Sequence, residues 1–173
     1  MKRLLIYFIL FLSPICITAQ KVIQRNFLGV EIGAKMQESE KIISNNLNIV
    51  DKNKNEIFVK DVYFGGYLWN ACWFVYYCDI FYEITFMRNV EEYSLNEEYE
   101  NLKNKLDLAY EGKDIYIKEE ADNNGYPVYK FADESGMMII LSVSTQKGRD
   151  CIRLDYTNML IEAMKYKKGV DEL

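Results

Sequence analysis

The chain has 173 residues, half of them hydrophobic, with 21 basic side chains, 26 acidic ones and no histidine. A net charge of −5 makes nucleic acid and anionic membranes poor partners. The missing imidazole removes serine–histidine–aspartate triads, cysteine–histidine pairs and the usual zinc sites.

Lys2 and Arg3 precede an unbroken apolar run from Leu4 to Leu12, and Pro14 and Ala19 follow. That order predicts a secretory signal over residues 1–19, cleaved after Ala19, and hence a periplasmic or secreted protein. A bilayer span needs about 20 apolar residues, roughly twice this run. Lipid attachment at Cys16 is the other possibility, although Ile15 stands where a small residue is wanted. Residues 20–173 then form one domain, and loss of Lys2 and Arg3 leaves 19 basic residues against 26 acidic, a net of −7. The two prolines are Pro14 and Pro127, and no Pro-rich, Gly/Ser-rich or repetitive segment suggests a linker.

A strand is predicted over 27–32, ended by Gly33, then a helix in which Met36, Ile43 and Leu47 recur at helical spacing. Residues 48–56 read as a polar loop, and 57–64 as a strand closed by Gly65 and Gly66. Residues 67–86 hold nine aromatic side chains and split at Tyr77–Asp79 into the two strands of a hairpin. In the second strand Ile80, Tyr82, Ile84 and Phe86 share one face, and Phe81, Glu83, Thr85 and Met87 the other. An even-length turn places Trp69, Ala71, Trp73, Val75 and Tyr77 on the buried face, and an odd one turns Trp69 and Trp73 outward. The first case leaves Leu68, Phe74, Tyr76 and Phe81 to be covered or to serve as a contact patch.

The next helix begins near Ser94 or Asn96, with Glu97 three residues after Ser94 as in a capping box. Leu95, Tyr99, Leu102, Leu106 and Ala109 form its apolar stripe, and Gly112 ends it. Strands follow over 114–118, 126–131, 137–144 and 151–156, separated by turns. A last helix, capped by Thr157 or Asn158, runs to Lys168. The predicted order β-α-βββ-α-ββββ-α describes an α+β domain, an antiparallel sheet of hairpins with about three helices packed on it. Cys72, Cys78 and Cys151 are odd in number; Cys151 could bridge one of the others across a sheet, or all three are small buried hydrophobes.

Two strings resemble cation sites. Asp51, Asn53 and Asn55 copy the start of an EF-hand loop, but Glu56 stands at the glycine position and Val62 at that of the bidentate glutamate. The five acids of residues 91–100 suit the first turn of a helix, where its dipole stabilises them. No metal, cofactor or catalytic set is read from either.

The segments NFLGVEIGAKMQESEKIISNNL, FGGYLWNACW, FYEITF and EEYENLKNKLDLAYEG, within residues 26–112, resemble a group of small, mostly uncharacterised exported proteins of anaerobic gut bacteria. The chain departs from that pattern at Val30 and at Glu111. A glycine-led helix followed by antiparallel hairpins is more distantly similar to the β-lactamase-inhibitor-protein-like folds, and this resemblance implies a protein-binding role. The expected function is a non-enzymatic module that contacts a protein or envelope component. Its candidate contact residues are Tyr67, Trp69, Phe74, Tyr76 and Phe81. The alternative is a glycan-binding protein, or a glycan hydrolase using paired carboxylates.

Overall fold

The structure, a computed structural model, describes residues 22–110, 115–146 and 148–171. The expected signal segment lies outside them. The first element is a hairpin of two short strands, β1 (Asn26–Phe27) and β2 (Val30–Glu31), where one strand was expected. Leu28 and Gly29 both take left-handed backbone, φ 55° and 90°, and reverse the chain between them. Helix α1 (Met36–Asn46) follows. The 48–56 segment is not all loop: β3 (Ile49–Lys52) forms an edge strand against β4 (Glu56–Phe64). Asn53 makes the turn between them, its Oδ1 accepting from the N–H of Asn55 and of Glu56 at 2.8 and 3.1 Å.

Strands β5 (Tyr67–Tyr77) and β6 (Ile80–Asn89) complete a four-stranded meander. A 3-10 turn at Glu92–Ser94 then leads into α2 (Leu95–Tyr110). The Ser94 hydroxyl donates back to the Glu91 carbonyl at 3.1 Å and belongs to that turn. Strands β7 (Ile115–Ala121), β8 (Pro127–Asp133), β9 (Met137–Gln146) and β10 (Arg149–Asn158) form a second meander. Asn158 caps α3 (Met159–Asp171), its Oδ1 accepting from the N–H of Leu160 at 3.0 Å.

The chain is therefore α+β, and after the first hairpin it runs through the order α-ββββ twice. The two meanders join through their last strands into one antiparallel eight-stranded sheet, β3-β4-β5-β6-β10-β9-β8-β7. Buried side chains of α1 (Ile43) and α2 (Tyr99, Leu102, Leu106, Tyr110) share one core with the inner face of that sheet. Ionic and polar contacts dock α2 more firmly: Arg88 Nε donates to Glu98 at 2.7 Å, and the Tyr129 hydroxyl donates to Asp107 at 2.7 Å. Asp133 anchors the N-terminal segment, since one carboxylate oxygen accepts from the Ile23 N–H at 2.7 Å while the other holds the Ser135–Met137 turn. No described helix is long and apolar enough to cross a membrane.

Two irregularities decide which rings enter the core. The β5–β6 turn is two residues, Cys78 and Asp79, so pairing begins Tyr77↔Ile80 and Tyr76↔Phe81. It then slips by one, leaving Tyr82 as a bulge, and Trp73 faces Thr85 instead of Ile84. Phe74, Tyr76, Phe81, Ile84 and Phe86 consequently point inward, and Trp73, Val75, Glu83, Thr85 and Met87 outward. Further along, Val59 and Val62 are both buried, as are Cys72 and Trp69 opposite them. Both strands thus change face between the pairs Lys60↔Ala71 and Val62↔Trp69, where Asp61 adopts φ 53°. That second switch returns Trp69 to the core, where its Nε1–H donates to the Phe64 carbonyl at 3.0 Å. The simple parity argument fails twice, and each failure is local.

Candidate functional site

The outer face of the sheet is built where β6 and β10 meet. Period-two alternation puts Glu83, Thr85 and Met87 of β6 beside Cys151, Arg153 and Asp155 of β10, with the pairs Thr85↔Asp155 and Met87↔Arg153 directly opposite. Phe58 of β4 and Trp73 of β5 flank this seam, stacked with centroids 4.9 Å apart and planes 19° from parallel. Between the aromatic pair and the seam lies an open depression of 380 Å³, lined by Glu56, Trp73, Val75, Glu83, Thr85, Met87, Ser144, Thr145 and Arg153.

Its floor is a charged network. Asp155 is only 6% exposed. It takes a hydrogen bond from the Thr85 hydroxyl at 2.5 Å, and Arg153 Nε lies 2.9 and 2.8 Å from its two oxygens. Burial pushes the Asp155 carboxyl above its ordinary range, and the Arg153 charge and Thr85 bond offset this only in part. Glu83 is likewise raised, by burial first and then by the Asp155 charge, with Arg153 3.8 Å away opposing both. Burial disfavours the Arg153 cation, but the two carboxylates prevail and raise it.

Asp155 has its oxygens engaged and is shielded, which leaves Glu83 and Glu56 as the carboxylates lining the depression. Arg153 lines the depression, Ser144 and Thr145 add polar atoms, and Trp73, backed by Phe58, offers ring surface. Among the described residues no group of three or more Cys, Asp and Glu side chains could hold a metal ion.

The five expected contact residues do not converge here. Phe74, Tyr76 and Phe81 are 0, 3 and 0% exposed, packed ring against ring at 5.5 and 5.6 Å, because the Tyr82 bulge turns them inward. All three are part of the packed core. Tyr67 and Trp69 lie on the inner side too, along a separate crevice beneath α2. Sequence reasoning left out Phe58, Glu83, Thr85, Arg153 and Asp155 as site residues, and held Trp73 only as the outward partner under one register. The outward positions of 83–87 and 151–155 were legible one strand at a time. Their adjacency depends on β6 pairing with β10, about 70 residues away along the chain, which periodicity does not encode.

The cysteines fall on different surfaces: Cys72 faces the core, Cys151 the outer face, and Cys78 the hairpin turn, and all three are free thiols. A bridge through the sheet between Cys72 and Cys151 is therefore not made. No protein-family model matches the chain, and neither a curated protein nor a solved structure does.

Proposed function

We propose that the protein is a non-enzymatic binding module, exported from the cell, that holds a protein or envelope component against the outer face of its sheet. The observation that carries this reading is the charged floor under an open aromatic depression. Burying the Asp155 carboxylate against an Arg153 side chain that stays 45% exposed is a poor device for stability, since well-packed apolar residues of similar volume often serve as well or better. Its use here is to set Glu83 and Arg153 beside Trp73, whose ring stacks on Phe58. Pre-ordered polar groups next to flat rings lower the entropy lost when a partner docks.

Envelope extract passed over immobilised wild type and over the Phe58→Ala/Trp73→Ala double variant tests this. A partner recovered by wild type and lost with the folded variant supports the proposal, and equal recovery refutes it. The stacked, half-buried rings beside polar side chains also favour a second reading, glycan binding. A glycan array supports that reading if a signal disappears with Trp73→Ala, and removes it if wild type gives none.

A further inference from the structure

Beneath α2, on the opposite side of the sheet from the outer depression, lies a second cavity of 270 Å³. Its walls are Trp69, Leu102, Leu106, Tyr110, Leu154 and Tyr156, all buried, and Gln24, Gly65, Tyr67 and Lys105 stand around its opening. Interiors packed to ordinary density leave few voids larger than a water molecule. An apolar cavity of about 150 Å³ already accepts benzene, so this one has room for a larger apolar body.

The opening is electrostatically uneven. Two cations lie over the Tyr67 ring, Arg88 5.7 Å and Lys105 4.1 Å from its centroid. Arg88 is neutralised by Glu98 at 2.7 Å. Lys105 has no carboxylate within ion-pair distance among the described residues, although acids outnumber bases in the chain 26 to 21. An ammonium group held on a ring face at the rim of an apolar cavity complements a molecule with one anionic end and one apolar end.

We infer that this cavity binds an amphipathic carboxylate, its head at Lys105 and its apolar body against Trp69, Leu102, Leu106 and Tyr156. Scaling from benzene's six carbons in about 150 Å³ gives an apolar part of about eight to eleven carbons. The inference is independent of the outer-face proposal, because the two sites share no residue.

The two tryptophans separate the sites cleanly, Trp69 lining this cavity and Trp73 the outer face. In a Trp73→Phe background Trp69 is the sole indole, and its fluorescence is followed while the full chain is titrated with decanoate below its micelle concentration. The expected result is a saturable change. Nonylammonium, with the same nine-carbon tail and the opposite charge, should bind at least tenfold more weakly, as should decanoate to Lys105→Gln. Lys105→Arg should retain binding, and Phe58→Ala on the outer face should leave it unaltered. Leu106→Phe should abolish it by filling the cavity, with near-ultraviolet circular dichroism confirming that this variant stays folded. No saturable response, equal affinity for the two head groups, undiminished binding by Lys105→Gln, or loss with Phe58→Ala would each overturn the inference.

Discussion

Trp73 and Phe74 are neighbours in the chain and lie on opposite faces of the sheet, so truncating each in turn reads out the Tyr82 bulge directly. Phe74 is 0% exposed, with the Phe81 ring 5.5 Å away, and replacing a buried phenylalanine by alanine costs about 3 to 5 kcal/mol. Trp73 is half-buried and packs chiefly on Phe58 at 4.9 Å. Its removal loses a ring pair of about 0.5 to 1.5 kcal/mol and part of its apolar contact, about 1 to 2 kcal/mol altogether. With a urea m-value of about 2 kcal/mol/M, Phe74→Ala should lower the unfolding midpoint by about 1.5 to 2.5 M and Trp73→Ala by less than about 1 M. A hairpin continuing in its starting register would exchange the two residues. A Trp73→Ala loss equal to or greater than that of Phe74→Ala would therefore refute the bulge and the outer face built upon it.

Because Glu83 and Asp155 are raised in the folded state, they hold protons there that the unfolded chain has released. Their contribution to stability is complete below the unfolded values of about 4 and is lost as pH rises through the raised ones. Urea midpoints measured from pH 4 to 8 should accordingly decline less steeply for Glu83→Gln than for wild type, and parallel curves would contradict the assignment. Asp133→Ala strips the acceptor from the Ile23, Ser135 and Met137 N–H groups and should cost about 1 to 3 kcal/mol, with faster amide exchange at Ile23 as the specific sign. Native thiol labelling of residues 20–173 should modify Cys78 alone, since Cys72 and Cys151 are both 0% exposed. Cys78→Asn should stabilise by about 0.5 to 1 kcal/mol, because φ 49° at the first position of a two-residue hairpin turn suits asparagine.

The elements themselves were largely legible. The stripe Tyr99, Leu102, Leu106 marks α2, glycines and polar pairs mark the hairpin turns, and Asn158 caps α3 as its place ahead of an apolar run suggests. What escaped was of two kinds. A bulge at Tyr82, and a change of face around Asp61 made without a shift of register, decide which side chains face in, and they depend on the partner strand more than on local composition. The strand β3 escaped because IVDK shows no alternation, and as an edge strand it presents mostly exposed side chains. Of the rings in 67–77, Trp69 is expected in the core under an even-length turn while Phe74 and Tyr76 are left to be covered or to make contact, and all three stand in the core. The site stayed hidden because its charged floor comes from strands that become neighbours only when the two meanders join.

The central claim is that contact is made through the outer sheet face, and site-specific photo-crosslinking in the living cell tests it most directly. A benzophenone side chain at Val75, inside the depression, should yield a discrete adduct that vanishes with Arg153→Ala, while the same probe at exposed Tyr116 on β7 yields none. Adducts from Tyr116 but not from Val75, or a Val75 adduct indifferent to Arg153, would contradict the account.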